Sequence, residues 1–104
     1  GAEVAEEHAS LIRALPEDGV AVINGDDAHA ATWKKAAASR QVRDFGLSGA
    51  ACVRADCRCG PSSSVLEVTT PEAQARFELP VAGEHNARNA LAAIAAATAA
   101  GVPL

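Results

Sequence analysis

The segment between Gly83 and Gly101 constrains the fold of this chain most, because alanine dominates it. Alanine is the strongest helix former, and Gly101 followed by Pro103 marks the C-terminal end of a helix. Small and aliphatic side chains fall on one face of such a helix, at Ala87, Ala90, Leu91, Ile94 and Thr98. Since short side chains let a helix approach a sheet closely, the sequence predicts a helix over residues 83–101 that packs on a sheet.

A short apolar run supplies a strand for that sheet. Residues 20–23 are continuously apolar, which is typical of a strand buried on both faces in a parallel sheet. Amphipathic spacing predicts one helix before it, over residues 2–14, and another after it, over residues 28–38. Asp26 and Asp27, in the turn between strand and second helix, are expected to cap that helix. The order helix, strand, helix is typical of a doubly wound sheet.

Four further strands are predicted over residues 41–45, 51–58, 64–69 and 75–81. Glycine, proline and serine separate them, and polar and apolar residues alternate along the last two. Three of these segments, joined by short loops, favour a small antiparallel meander. The predicted fold class is therefore α/β: a partial doubly wound sheet with a small antiparallel β-meander and an Ala-rich C-terminal helix.

Composition and charge narrow the possible partners. A chain that is 49% hydrophobic and 21% charged has the balance of a globular domain. Its net charge of −4 argues against nucleic acid or an anionic membrane as the main partner. The longest apolar stretch, residues 90–102, is shorter than the roughly 20 residues that span a bilayer, and no secretory signal precedes the first helix. We therefore expect a soluble, cytoplasmic domain without membrane insertion.

The three cysteines, Cys52, Cys57 and Cys59, do not form a complete disulfide framework, because their number is odd. A structural zinc site usually needs four ligands, and the histidines lie far away without paired spacing. The residues therefore favour reduced thiols on a strand. Cys57 and Cys59 are expected on one face of that strand, with Cys52 on the opposite face unless a bulge intervenes.

The start of the Ala-rich helix holds the best candidate site. Asn86 and Asn89 lie three residues apart, so both project from one face near the positive end of the helix. A carboxamide both donates and accepts hydrogen bonds, which is the equipment needed to recognise the edge of an adenine. The alternative is structural, with Asn86 as a helix N-cap and Asn89 as a solvated residue. His85, next to them, either contacts a ligand or merely packs at the helix start.

Two absences limit what this chain does by itself. No glycine is followed by lysine, so the chain contains no G-x-x-x-x-G-K-[ST] phosphate loop. No set of catalytic residues is complete, and no catalytic residue is therefore predicted. The chain also has no methionine, not even at position 1, which suggests a piece of a longer protein.

Two segments together resemble the Mur ligases, the ATP-dependent amide ligases of peptidoglycan precursor synthesis. Residues 83–95 follow their pattern G-x-H-N-x-x-N-A-x-A-A, and residues 15–27 follow L-P-x-x-G-x-x-V-x-N-x-D-D. The spacing between the segments is most like that of the members that add D-Ala-D-Ala to UDP-N-acetylmuramoyl-tripeptide. By this resemblance, residues 1–104 are the later half of the central ATP-binding domain, without the phosphate loop and the C-terminal domain.

The resemblance also implies cofactors, partners and site residues. The parent enzyme would use ATP and Mg²⁺, with a UDP-muramoyl-peptide and D-Ala-D-Ala as substrates. Asn89 matches the position that binds adenine, and His85 and Asn86 flank it. His8 aligns with a lysine that is carbamylated in many Mur ligases and helps bind magnesium. Because an imidazole suits Mg²⁺ poorly, no metal-binding residue is predicted.

Alternatives to this interpretation stay open at this point. One is another ligase of the same superfamily, such as another Mur member or a folylpolyglutamate synthase. A different class is a stand-alone small α/β binding module in which the asparagines are structural. If the chain is part of a ligase, the isolated piece would be inactive, and its exposed sheet edges would leave it open to self-association.

Overall fold

The computed structural model describes residues 2–47 and 49–104. In those residues it contains three helices: α1 (Ala2–Arg13), α2 (Ala30–Ala37) and α3 (Gly83–Ala99). They surround five strands: β1 (Val20–Asn24), β2 (Gln41–Gly46), β3 (Val53–Cys59), β4 (Ser64–Thr69) and β5 (Gln74–Leu79). Every predicted element is present, and no boundary differs from the prediction by more than two residues.

The strands form one sheet in the order β1-β2-β3-β4-β5. β1 pairs with β2 in parallel. β2 also pairs with β3 in parallel, but only over two residue pairs, Phe45 with Val53 and Gly46 with Arg54. β3, β4 and β5 are then antiparallel to one another. The prediction of an α/β fold with a parallel part and an antiparallel meander is therefore confirmed.

Two layers of helices build two cores, one on each face of the sheet. α1 and α2 cover one face of β1 and β2, and their core consists of Ala5, Ala9, Ala21, Ile23, Ala30, Trp33 and Ala37. Trp33 anchors this side, because its indole N–H donates to the carbonyl of Ala5 at 3.0 Å. α3 covers the other face, over a core that includes Phe45, Val53, Ala55, Leu66, Val68, Ala87, Leu91 and Ala95.

The buried line of α3 is narrower than the predicted one. Ala87, Leu91 and Ala95 are fully buried at four-residue spacing, whereas Ile94 and Thr98 are only half-buried. Since alanine and leucine alternate along that line, the helix backbone lies close to the sheet, as predicted. No helix in residues 2–47 and 49–104 has the length and apolarity that a membrane crossing requires.

The predicted capping of α2 is wrong for Asp26. The residue at the N-cap position is His29, and its side chain makes no capping bond. Asp27 accepts the backbone N–H of His29 at 2.8 Å and so holds the turn before the helix. The carboxylate of Asp26 accepts the N–H of Leu47 instead, also at 2.8 Å, because the end of β2 lies beside this turn.

The cysteines also differ from the prediction. Cys57 and Cys59 share a face of β3 as expected, but a disulfide joins them instead of leaving reduced thiols. Their Cα atoms are 5.7 Å apart, which a disulfide spans without moving the backbone. Cys52 is a free thiol.

Candidate functional site

The first turns of α3 present the predicted site residues to solvent. His85, Asn86 and Asn89 are all exposed, and their three- and four-residue spacings place them on one side of the helix. The opposite side, at Ala87 and Leu91, is fully buried against the sheet. The fold therefore keeps these three polar side chains together and in reach of a ligand.

The two asparagines differ in how their amides are used. Asn86 lies inside the helix, and its Nδ2 donates to the carbonyl of Ala82 at 2.9 Å. The N-cap position belongs to Ala82, so the alternative of Asn86 as the cap is wrong. Within residues 2–47 and 49–104, nothing hydrogen-bonds the side chain of Asn89. Asn89 thus offers a complete amide edge, with two donor hydrogens and one acceptor, whereas Asn86 has committed one donor.

An ion pair fixes this part of α3 to the carboxyl ends of the parallel strands. Arg88 Nε lies 3.5 Å from Asp26 Oδ2, and an Arg88 Nη atom lies 3.5 Å from the carboxylate of Glu84 one turn earlier. Asp26 follows β1, and through the N–H of Leu47 it also holds the end of β2. Arg88 Nε is buried without a hydrogen bond, so the pair acts through charge.

Gly46 makes room for that carboxylate. A Cβ atom at residue 46 would lie 2.6 Å from Asp26 Oδ1, well inside van der Waals contact. The last residue of β2 is therefore glycine where the Asp26 side chain crosses it. This arrangement positions Asp26 beneath Arg88.

A second carboxylate stiffens the same edge of the sheet. Burial tends to raise the pKa of Asp44, but the backbone N–H of Cys52 and the ammonium group of Lys34 outweigh burial and hold that pKa below 3.8. The two donors lie 2.8 Å and 3.0 Å from the Asp44 oxygens. Asp44 is therefore ionised at neutral pH and joins β2 to α2 and to the loop before β3.

The exposed side chains at the start of α3 offer hydrogen-bond donors and acceptors to a polar ligand. Ligands of open α/β sheets bind beyond the carboxyl ends of the strands, which is where α3 begins. No group of three or more His, Cys, Asp or Glu side chains in residues 2–47 and 49–104 could hold a metal. His8 lies against Trp33, with ring centroids 5.3 Å apart.

A separate cleft of about 570 Å³ lies at the other end of α3. Arg43 lines it and is bound on both sides, to Glu72 at 2.8 Å and to the Thr98 hydroxyl at 3.0 Å. The hydrogen bond from Arg43 lowers the pKa of Glu72. Arg43 is therefore already committed to partners within the chain.

Sequence reasoning missed Arg88 and Gly46, and it gave Asp26 a different role. The signal for Arg88 was its place between the two asparagines, one residue before Asn89 on the same helix. No local pattern pairs it with Asp26, which lies far away in the sequence. Gly46 carried a weaker signal, a glycine directly after a strand.

Comparison with known proteins identifies relatives for nearly the whole chain. The family model described as Mur ligase middle domain matches residues 2–97. A UDP-N-acetylmuramoyl-tripeptide–D-alanyl-D-alanine ligase of Haemophilus influenzae is 30% identical over 99% of this chain and 22% of its own length. A UDP-N-acetylmuramate–L-alanine ligase of Azoarcus sp. is 38% identical over 98% of this chain and 23% of its own length.

A solved structure shares the fold. The crystal structure of MurF from Acinetobacter baumannii superimposes with a TM-score of 0.87 at 34% identity, covering 97% of this chain and 22% of that one. The chain thus spans between a fifth and a quarter of the length of the relatives that it matches.

Proposed function

This chain belongs to the Mur ligase middle domain family, and from that membership we propose that it is the later half of the ATP-binding domain of a peptidoglycan-precursor ligase. The parent enzyme adds D-Ala-D-Ala to UDP-N-acetylmuramoyl-tripeptide in the cytoplasm. The names of its relatives and the fold shared with MurF support this activity. The phosphate loop and the C-terminal domain lie outside the 104 residues, so the isolated chain is inactive.

The uncommitted amide of Asn89 is the observation that carries the nucleotide role. It lies on the exposed side of α3 with His85 and Asn86 beside it, while Arg88 ties the same turns to the sheet. An amide edge held on a rigid helix suits an adenine, which presents one donor and one acceptor. We assign the base contact to Asn89, with His85 and Asn86 flanking the bound base.

The residues at the start of α3 fit the base of ATP. Bound ATP would supply the phosphoryl group that activates a carboxylate for amide formation. We assign the phosphates of ATP to the phosphate loop, which this sequence does not contain, and we assign no Mg²⁺ ligand to residues 2–47 and 49–104, where no group of three or more metal-binding side chains occurs. The role of this chain is to bind and orient the base.

Truncation of the amide in the full-length enzyme tests this role. We expect Asn89→Ala to raise the KM for ATP about 5- to 150-fold, which corresponds to the loss of about 1–3 kcal/mol of hydrogen bonding. The KM for the muramoyl peptide should not change, because the amide contacts only the base. Steady-state kinetics with ATP as the varied substrate measures the effect.

Gln74→Ala is the matched control, since Gln74 is an exposed amide on β5, away from α3. It should leave the KM for ATP unchanged. An unchanged KM in Asn89→Ala, with the control behaving normally, would show that the adenine assignment is wrong. The family membership would stand, because it does not depend on that residue.

A second candidate activity is the addition of L-alanine to UDP-N-acetylmuramate, which the similarity to the Azoarcus ligase favours. ADP release by the full-length enzyme separates the two. Release that requires the tripeptide substrate and D-Ala-D-Ala supports the first activity, and release with UDP-N-acetylmuramate and L-alanine supports the second. Release with neither pair would contradict both.

We also propose that the isolated chain self-associates through α1. Val4 and Leu11 are exposed on this helix, Leu11 to 69%, although both are large apolar residues. Sedimentation should show a concentration-dependent increase in mass that Leu11→Glu reduces and that Arg54→Glu, an exposed position on β3, does not. A monomer at all concentrations would contradict this proposal.

A further inference from the structure

The disulfide between Cys57 and Cys59 lies at the end of β3, where the sheet meets solvent. Cys59 is exposed, whereas Cys57 is half-buried and packs against the core beneath α3. One sulfur is thus accessible to a reagent and the other is in contact with the core. The third cysteine, Cys52, precedes β3 at its opposite end and takes no part in the bond.

This disulfide contributes little to global stability. The stabilisation from a crosslink grows with the length of chain that it closes, and this one encloses a single residue, Arg58. The antiparallel ladder already fixes both cysteines, since Cys57 pairs with Leu66 and Cys59 pairs with Ser64. An exposed disulfide with so small a structural role has the properties of the labile class.

We propose that Cys57 and Cys59 form a thiol–disulfide exchange site for a dithiol reductant. A thiolate of the reductant attacks the exposed sulfur of Cys59, the bond between the cysteines breaks, and Cys57 leaves as a thiolate that takes up a proton. The second thiol of the reductant then attacks the mixed disulfide and releases Cys59 as a thiol. The reductant leaves as its own disulfide, so two electrons and two protons pass to the protein.

The contacts of the two cysteines connect this site to the start of α3. Ser64, paired with Cys59, is only 1% exposed and donates its hydroxyl to the carbonyl of Val81 at 2.9 Å. Val81 lies two residues before Gly83, where α3 begins. Cys57 packs against the cluster that contains Ala87 of the second helical turn. We therefore expect reduction to leave global stability nearly unchanged and to affect only the local opening of the end of β3 and, through these contacts, of the first turns of α3. This inference does not depend on the proposed ligase activity.

Thiol counting on the full chain tests the exchange. The protein is equilibrated in glutathione buffers of graded ratio, quenched with acid, unfolded and alkylated, and the modified cysteines are mapped by mass spectrometry. We expect Cys52 alone to be alkylated in oxidising buffers and all three cysteines in reducing ones. Cys52→Ser is the matched control, with no alkylation before reduction and both remaining cysteines alkylated after it.

Several results would overturn the exchange site. They are three free thiols at every glutathione ratio, a bond that involves Cys52 or a second chain, or a Cys57–Cys59 bond that survives excess dithiothreitol in the folded protein. Since these three results are read from the wild-type protein, failure of a variant to fold does not affect them. Cys59→Ser provides a further check, because it should leave Cys57 alkylated in every buffer.

Amide hydrogen exchange tests the connection to α3. In Cys52→Ser, reduction should speed exchange about fivefold or more at residues 64, 86 and 87, and leave β1 unchanged as an internal reference. Cys57→Ser should exchange like the reduced protein. Equal exchange in both redox states would show that the sulfur chemistry is not transmitted to the helix.

Discussion

The parallel and antiparallel halves of this sheet are covered differently, and their sequences reflect it. β1 has α1 and α2 on one face and α3 on the other, and its residues 20–23 are apolar without alternation. β4 has α3 on one face only, and there buried Ser64, Leu66 and Val68 alternate with more exposed residues. One sheet therefore contains two hydrophobic patterns, because the pattern of a strand is set by what covers it.

The two halves of the sheet also differ in their relation to the candidate site. The carboxyl ends of the parallel strands bring Asp26 and Asp44 to the edge where α3 begins, and the exposed amides lie there. The meander supplies the core under α3 and leaves a charged open face, with Arg54, Asp56 and Glu67 exposed. We therefore expect substitutions in the two halves to have different consequences even where the residue types match.

The largest loss of unfolding free energy should come from truncation of fully buried side chains. In β4, Leu66→Ala should cost about 2–5 kcal/mol of unfolding free energy, because Leu66 is fully buried. Its neighbour Val65 faces the open side, and Val65→Ala should cost less than about 1 kcal/mol. In β1, Ile23→Ala should cost about 2–5 kcal/mol.

Val22→Ala provides the sharp comparison with Val65→Ala. Val22 is adjacent to Ile23 but packs against the core under α3, so its truncation should still cost about 1 kcal/mol or more. Urea unfolding of the four variants measures the differences. If Val22→Ala and Val65→Ala cost the same, the two halves are not covered as described.

Two arginines should also differ in how much they contribute to the free energy of unfolding. Arg40 donates to the carbonyls of Arg13, Leu15, Pro16 and Ala37 at 2.8–3.3 Å, which satisfies the ends of both α1 and α2. Arg40→Ala should cost about 1–3 kcal/mol, since these carbonyls lose their donor. Arg54→Ala, on the open face of the meander, should change stability by less than about 0.5 kcal/mol.

Arg40→Lys separates geometry from charge. A lysine keeps the positive charge but lacks the planar fork that reaches several carbonyls at once. It should recover less than half of the stability lost in Arg40→Ala, as measured by thermal and urea unfolding. Full recovery would show that charge at the helix ends is sufficient.

The sequence predicted what depends on local pattern. Continuous apolar residues, alternation and the Ala-rich helix give the elements, the parallel and antiparallel parts, and the common face of Cys57 and Cys59. The contact between Asp26 and Leu47 could not be predicted in this way, because the two residues meet only after the parallel strands pair. The same holds for the ion pair between Asp26 and Arg88.

The sequence also could not predict the chemical state of a side chain. Alternation placed both cysteines on one face, but it does not say whether their sulfurs are bonded. The amide of Asn86 could cap the helix, bind a ligand or donate to the carbonyl of Ala82, and only the backbone position decides among them. The assignment of adenine to Asn89 stays a prediction, since it depends on a bound nucleotide.

Gly46→Ala tests the edge that the two parallel strands share with α3. Its methyl group would displace the Asp26 carboxylate from the N–H of Leu47, and we expect a cost of about 1–3 kcal/mol. Asp26→Ala alone should cost about 1–3 kcal/mol, because that N–H loses its acceptor. The double variant should cost less than the sum, and strict additivity in a urea-unfolding cycle would contradict the close contact.

The smallest expected effect is a dependence of stability on pH. The pKa of Asp44 in the folded protein lies below its ordinary value of 3.8, since the N–H of Cys52 and the ammonium of Lys34 outweigh the burial of the carboxyl. Its carboxylate therefore stabilises the fold at pH above 3.8, and this contribution is lost as the pH falls through the folded pKa. At neutral pH, Asp44→Asn should cost about 1 kcal/mol, because its oxygen can still accept the Cys52 N–H but no longer pairs with Lys34.

Asp56→Asn in the meander completes the comparison, because Asp56 is exposed and pairs with Glu67 across the ladder. Removing one of two facing carboxylates should leave stability at neutral pH unchanged or raise it by about 0.2–1 kcal/mol.

Urea unfolding from about pH 7 down to about pH 3 should show a shallower loss of stability in Asp44→Asn than in the wild type. An equal loss in both proteins would mean that the acid sensitivity of the fold arises elsewhere than at the carboxyl end of β2.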